Sequence, residues 1–515
     1  MVKIEGLTIL HRRDLRTILR DFSFQLNKGD KAVLIGEEGN GKSTLLKWIF
    51  DPRLVEEYAE AEGTRTTQGE LLGYLPQELA EQEREKTVWE YFSGLPAFHD
   101  ASSAELRKLS AELRIADDAF WSDQKMGTLS GGERVKLQMA GVLLADPDVL
   151  LLDEPSNDID LDTLSWLEER IAGFPGAVLY ISHDETLIER TANRVVLIEH
   201  LRKKTLPRVT VANVPYRTFA EERRRAFDKQ EQEAVSERRE ERKALERFRR
   251  IEQAVEQSQR NVSRQDPHGG RLLKKKMKAV RSMERRYERE HGEMTDFPEE
   301  ESAIDIRFGR QKAMPAGKTV LELSLPELRS PSGQLLARNI ALNLRGPEKI
   351  CIVGSNGSGK TTLIRTIAGE LCARTDVRAF YMPQDYEEVL PYDRTPVEYL
   401  APSGEKEEVT TARTFLGSMK YTAQEMFHPI RELSGGQKAK LLLLKISLTE
   451  ADVLILDEPT RNLSPLSGPE VREILRGFPG AIVSVSHDRK FIAEVCDRIF
   501  RMTPDGLTPE EKANG

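Results

Sequence analysis

The chain repeats itself, and that repeat governs every reading of its fold. FPGAVLYISHD at 174–184 returns as FPGAIVSVSHD at 478–488, 304 residues later. The same interval separates TLSGGE around Ser130 from ELSGGQ around Ser434, and LLLDEP ending at Pro155 from LILDEP ending at Pro459. A further pair, GEEGNGKST from Gly36 and GSNGSGKTT from Gly354, lies 318 residues apart, so the first copy has 14 additional residues between its glycine-rich loop and its LSGG. The chain therefore reads as a tandem duplication: a first copy over 1–212, an intervening segment over 213–302, and a second copy over 303–515. The second copy opens with AIDIRF, an alternating strand after the acidic break PEEES.

Composition narrows the class. A chain of 515 residues with 39% hydrophobic and 31% charged side chains is long enough for about three domains and belongs with globular proteins. It holds no 18-residue apolar run, and Lys3 and Glu5 interrupt the place where a secretory signal needs an apolar core. The expectation is a cytoplasmic protein without a membrane partner. Three scattered cysteines, Cys351, Cys372 and Cys496, suit core packing rather than a disulfide framework or a metal cluster. The net charge of −8 excludes indiscriminate binding to nucleic acid, so a surface for such a partner must be local.

In each copy, AVLIG (32–36) or CIVG (351–354) leads through a glycine-rich loop into an apolar helix. VLLLDEP and AVLYISH are continuous apolar runs of strand length, as in a buried parallel sheet. The fold class is α/β, with a nucleotide-binding core present twice. Gly36, Gly39, Gly41, Lys42 and Ser43, followed by Thr44, and Gly354, Gly357, Gly359, Lys360 and Thr361, followed by Thr362, match the P-loop pattern. The glycines let backbone N–H groups surround a β-phosphate, the lysine reaches the β- and γ-oxygens, and the hydroxyl takes a place on Mg²⁺.

Asp153–Glu154 and Asp457–Glu458 end buried strands, where a parallel sheet opens onto its ligand crevice. The first carboxylate of each pair suits support of the metal; the second suits orientation and deprotonation of the attacking water. Gln77 and Gln384 lie between P-loop and LSGG and could reach the metal or that water. His183 and His487 each end an apolar strand in Ser-His-Asp; without a G-x-S-x-G elbow, sensing of a γ-phosphate suits them better than a hydrolase triad.

P-loop, Gln, LSGG[EQ], LLLDEP and SHD in this order resemble the ABC ATPases, over almost the whole of both copies. The resemblance implies, for each copy, a RecA-like core plus helical and antiparallel β subdomains, and ATP with Mg²⁺ as cofactors. It also implies an intramolecular head-to-tail sandwich in a monomer. Ser434, Gly435 and Gly436 would close over ATP held by Lys42, Ser43, Gln77, Asp153, Glu154 and His183. Ser130, Gly131 and Gly132 would close over ATP held by Lys360, Thr361, Gln384, Asp457, Glu458 and His487. After the second carboxylate the family usually has a sequence close to TNHLD, whereas SNDID (156–160) and TRNLS (460–464) stand here. Asp158 replaces the usual His and Ser464 the usual Asp, so the two sites are expected to hydrolyse at different rates.

Between the copies, Arg217 to Gln259 is dense in charge and free of Pro and Gly. As a helix it would extend about 65 Å. Phe227, Ala234, Leu245, Phe248 and Val255 form a narrow apolar seam, and after the break DPHGG (266–270) Leu273, Met277, Val280, Met283 and Tyr287 form another. The expectation is an α-helical hairpin linker with Asn261 to Gly270 as an irregular tip. From Arg260 to Arg286 stand ten Lys or Arg against Asp266 and Glu284, the footprint of a phosphate-backbone partner.

Two ABC copies separated by such a linker resemble the ABC-F proteins, and that resemblance implies ribosome binding (rRNA and P-site tRNA) through a linker that reaches the peptidyl-transferase centre. Only 88 residues separate Lys42 from Ser130 and 28 follow His487. This compact body with an elaborated linker is most similar to the bacterial branch that protects ribosomes from antibiotics. A housekeeping ABC-F translation factor and a fused transporter ATPase subunit are the alternatives.

Overall fold

The computed structural model describes residues 1–201, 206–261, 267–290 and 314–511; AIDIRF lies outside them. Two units are present: Met1–Tyr216 together with Glu301–Gly515, and Arg217–Glu300.

The first copy begins with β1 (Val2–His11) and β2 (Thr17–Leu26), antiparallel partners that alternate buried and exposed positions. β3 (Lys31–Ile35) follows, then β4 (Ala59–Thr66), which pairs with β1, and β5 (Leu72–Leu75). β6 (Val149–Asp153) and β7 (Ala177–Ile181) are buried at every position, as strands covered on both faces must be. β8 (Arg194–His200) and β9 (Leu206–Ala212) complete a six-stranded sheet of order β5-β6-β7-β3-β8-β9. All its pairs are parallel except β8–β9. This order places the P-loop after β3, Asp153 at the end of β6 and His183 just past β7, so all three emerge on one edge.

The second copy has the same plan. β10 (Thr319–Arg329) and β11 (Leu335–Arg345) form an antiparallel pair. β12 (Lys349–Val353), β13 (Ala379–Met382), β14 (Val453–Asp457), β15 (Ala481–Val485), β16 (Arg498–Thr503) and β17 (Gly506–Glu510) form the sheet β13-β14-β15-β12-β16-β17. Each copy also carries a set of short helices between its Gln and its LSGG. In the first copy, this helical part is centred on Phe92, Phe98 and Phe120, whose rings lie 4.8–6.1 Å apart. Cys351 and Cys496 are buried in the core as expected, but Cys372 is exposed at the end of its helix.

The intervening unit contains helices Tyr216–Asn261 and Pro267–Glu290. The expected irregular tip is therefore too long. Asn261 still belongs to the first helix, and the PHGG of the expected break forms the first turn of the second. Proline is well suited there, because its missing N–H would have no helical partner at that position. On the expected seams, Ala234, Val255 and Val280 are buried, Phe227, Leu245, Phe248 and Met277 half-buried, and Met283 exposed. The side chains of Leu273 and Tyr287, and of Arg260, Arg264 and Arg281 in the basic cluster, lie outside the described residues.

Charge joins the two copies. Arg489 of the second copy pairs with Glu168 and, at 3.5 Å, with Asp184 of the first. Arg472 pairs with Glu185 at 2.8 Å, and Lys490 meets Glu185 at 2.8 Å and Glu189 at 2.6 Å. Glu168 and Arg472 are equivalent positions of the repeat, as are Glu185 and Arg489, so the duplicated halves have acquired opposite charges at matching places. The Arg472 side chain is only 4% exposed, so its pair with Glu185 is shielded from water, while Arg489 and Lys490 are half-buried. Removing one member of a buried pair strands the other in a medium that solvates it poorly. Glu168 also holds Arg190 at 3.0 Å, so in chemical denaturation Arg489→Met should destabilise the chain by less than the roughly 3–5 kcal/mol of a fully stranded buried ion. Adding Glu168→Gln should recover part of that loss, since coupled residues depart from additivity by about 0.5–3 kcal/mol. A strictly additive double variant would show that this pair does not couple the copies.

Candidate active site

Both P-loop helices begin at a glycine in the left-handed region, Gly41 (φ 84°) and Gly359 (φ 99°), and neither start has a side-chain cap. The first backbone N–H groups are thus left for an anion. A Cβ on Gly41 would also run into the Ile18 side chain, so both conformation and space require glycine there. Lys42 Nζ donates to the carbonyls of Gly36 (2.9 Å) and Glu37 (3.0 Å), and Lys360 Nζ to those of Gly354 (2.8 Å) and Ser355 (2.9 Å). Burial lowers the pKa of both ammoniums. Glu154, Glu37 and Glu38 near Lys42, and Glu458, Asp160 and Asp457 near Lys360, work the other way. Each loop thus places an ammonium, held by the loop's own carbonyls, beside uncapped helix N–H groups, a pairing suited to a polyphosphate.

The carboxylates at the strand ends are held differently in the two copies. Ser43 Oγ donates to Asp153 Oδ1 at 2.9 Å, and Tyr74 reaches Asp153 Oδ2 at 3.3 Å. Asp457, with Thr361 beside it, keeps both buried carboxylate oxygens without a hydrogen-bond partner. Burial raises both aspartates to about 6. Oxygen-only donors next to a phosphate cradle suit a hard divalent cation, and the orphaned oxygens of Asp457 fit such an ion.

Burial also acts to raise Glu154, but His183, Lys42 and Asn157 outweigh it and hold the carboxyl at about 2. Gln77 Nε2 donates to Glu154 Oε2 at 3.0 Å, Asn157 donates to the same oxygen, and His183 Nε2 lies 3.2 Å from Oε1. Glu458 is pushed by burial up to about 8, although it accepts from the backbone N–H of His487 at 3.2 Å. His487 Nε2 is 3.7 Å away, and burial together with Lys360 lowers that imidazole to about 4.

The copies meet head to tail. Asn356 in the second P-loop donates to the Asp158 carbonyl at 2.5 Å, and a Cβ on Gly131 would strike that same carbonyl oxygen. A cavity of about 860 Å³ opens there; it is lined by Lys360, Thr361, Gln384, Glu458 and His487 from one copy and Ser130 and Gly131 from the other. At the other junction Gly436 N–H donates to Glu38 Oε2 at 2.6 Å, and His183 Nδ1 lies 2.7 Å from the Leu463 carbonyl. Thr44 is engaged by Tyr58.

A family model described as "ABC transporter" matches residues 19–157 and 337–461. The tylosin resistance ATP-binding protein TlrC of Streptomyces fradiae is 30% identical, over 95% of each chain. The chain belongs to the ABC ATPases, in their ABC-F group. The ribosome protection protein VmlR of Bacillus subtilis (strain 168) is 28% identical to this ABC-F protein, over 96% of this chain and 85% of VmlR. Among solved structures, archaeal ribosome recycling factor aABCE1, in complex with stalk protein aP1, shares the fold. Its TM-score is 0.59 at 16% identity, with 98% of this chain and 90% of that one covered. The ABC-F chain hydrolyses ATP, and ABC ATPase domains generally take it with Mg²⁺.

Residues beyond the sequence motifs complete these sites. Ser130 and Ser434 cap their helices in reciprocal capping boxes with Glu133 and Gln437, which S-x-x-[EQ] signals in sequence. The Ser130 hydroxyl is also turned to Glu133 Oε2 at 2.7 Å, away from the role of an anion donor. Asp160 lies near Lys360 and His487, whereas Ser464, its equivalent, brings no charge to the first site. Glu154 is held toward its charged form by side-chain donors and an imidazole, whereas at Glu458, held by the Ser486 hydroxyl and the His487 N–H, burial prevails. At saturating ATP, Glu154→Gln should therefore remove severalfold more of the steady-state ATPase than Glu458→Gln. Equal losses would mean that these surroundings do not set the rates.

Proposed function

We propose that this ABC-F protein is an ATP-driven clamp on the ribosome whose linker reaches P-site tRNA and the peptidyl-transferase centre and protects the ribosome from antibiotics bound there. Likeness over nearly the full length to a tylosin resistance protein and to a ribosome protection protein carries this reading. The linker supports it: Arg271, Lys274, Lys275, Lys276, Lys278, Arg285 and Arg286 are exposed on the second helix, where phosphate contacts would anchor it without reading sequence. No helix among the described residues is long and apolar enough to cross a membrane.

In this reading Lys42 and Lys360 bind the β- and γ-phosphates, and the adjoining glycines wrap them. Ser43, Gln77 and Asp153, and Thr361, Gln384 and Asp457, would hold Mg²⁺, which would neutralise charge on the phosphates. Glu154 and Glu458 accept a proton from the attacking water. His183 and His487 face the terminal phosphate, and the LSGG segments close over it from the opposite copy. Closure gathers the sandwich around nucleotide; hydrolysis releases it.

Glu154→Gln with Glu458→Gln keeps the shape of both bases but removes their charge, so this variant should co-sediment with ribosomes in ATP far more than wild type. Equal sedimentation with and without ATP would sink the clamp. Neutralising Lys274 to Lys276 should weaken ribosome binding and reduce its salt slope by about 0.7–0.9 for each phosphate that is no longer neutralised. Shortening residues 262–266, between the two helices, should leave binding and ATPase intact while abolishing growth protection against tylosin and other drugs of that centre. Full protection by the shortened chain would favour a housekeeping translation factor.

A further inference from the structure

The two P-loops differ where they face the opposite signature. The second has Ser355 and Asn356; the first has Glu37 and Glu38. Asn356 donates to a carbonyl across the junction, but Glu38 sends its carboxylate to the Gly436 N–H at 2.6 Å. The same oxygen lies 2.9 Å from where a Cβ on Gly435 would stand. Gly436 is in the first turn of the 14-residue helix Gly435–Leu448, where backbone N–H groups have no partner inside the helix and favour an anion. On its other side Glu38 is close enough to Lys42 to favour that ammonium's charge. The carboxylate thus holds the signature N–H directly and lies within electrostatic range of the P-loop lysine, the two groups that the composite-site reading assigns to a terminal phosphate.

Its neighbour fixes the arrangement. Glu37 pairs with Lys440 at 3.1 Å, the lysine side chain being only 4% exposed, and lies 3.5 Å from Ser467 Oγ. Lys136, the equivalent of Lys440 in the first copy, instead lies over the Trp166 ring and donates to the Arg114 carbonyl. Only the first P-loop is tied to the opposing signature helix by carboxylates.

We propose that Glu38 is a specificity-determining residue of the first composite site: its carboxylate stands in for a terminal phosphate, so this site, while still turning over ATP, holds a nucleoside diphosphate at least as well as a triphosphate. This rests on the composite-site reading above. A triphosphate must displace Glu38 from Gly436 and bring like charge beside it. A diphosphate leaves that place to Glu38, so the Glu38–Gly436 contact and the diphosphate are compatible at this site.

The test uses the full chain in a Lys360→Ala background, which removes the second site, and titrates fluorescent ADP and a non-hydrolysable ATP analogue with Mg²⁺. With Glu38 present, the diphosphate should bind at least as tightly as the triphosphate. Glu38→Gln should shift the affinity ratio toward the triphosphate by about tenfold, the scale of one charge-assisted hydrogen bond, and Glu38→Asn, which installs the second copy's residue, should do the same. A ratio unchanged within about twofold in both variants, with melting curves like the parent, overturns the proposal. Lys42→Ala in the same background separates the two ideas. Loss of both nucleotides upholds the site while the ratio judges Glu38; retained binding overturns the site reading, and the proposal with it.

Discussion

The buried ion lattice between the copies is the interaction on which the rest depends. Four carboxylates of the first copy, Glu168, Asp184, Glu185 and Glu189, meet Arg472, Arg489 and Lys490 of the second. The most buried of them, Arg472, Glu168 and Glu185, lose most of their hydration, and only close opposite charges compensate for it. Because the acids sit on one half and the bases on the other, each half is complementary to its mate and repelled by a second copy of itself. This pairing sets each P-loop opposite the other copy's LSGG, so two half-sites become two composite ones.

Equal motifs do not make equal sites. Glu154 and Glu458 end matching strands, and both have backbone in the left-handed region, with φ of 51° and 52°. Around Glu154, His183, Lys42, Gln77 and Asn157 supply positive charge and donors that overcome burial; Glu458 has a neighbouring carboxylate and a more distant imidazole, so burial prevails. The difference reaches across the junction, since Asp160 brings a charge to the second site and Ser464 brings none to the first. Divergence after duplication has acted on the residues that flank the motifs.

The linker obeys different physics. Its first helix runs 46 residues with few apolar positions, so packing of a wide apolar face cannot account for its length. Pairs one turn apart, such as Arg217 with Glu221 and Lys229 with Glu233, support such a helix locally. The strong cation cluster on the second helix adds nothing to a core and remains available to an anionic partner.

The repeat, the P-loops, the carboxylates at strand ends and the two long helices were legible in the chain because each depends on local rules: glycine conformation, apolar runs of strand length, helical spacing. Of the residues lining the cavity beside the second P-loop, those rules named Ser130, Gly131, Lys360, Thr361, Gln384, Glu458 and His487, but not Ser330, Leu336, Asn356 or Arg461. They stopped short where local preference continued past an apparent break: PHGG reads as a turn, yet proline at a helix start lets those residues join the helix. What only the tertiary structure decided is which residues meet across the junction. That Glu38 lies against Gly436, that Asp160 lies near His487 and that Arg489 pairs with Glu168 depend on contacts between residues about 300 to 400 apart in sequence, where chain-local propensity carries no information. Burial raises both glutamates of the two identical Asp-Glu dipeptides, but His183, Lys42 and Asn157 outweigh it at Glu154 alone, because the cost of charging a carboxyl depends on its surroundings rather than its sequence.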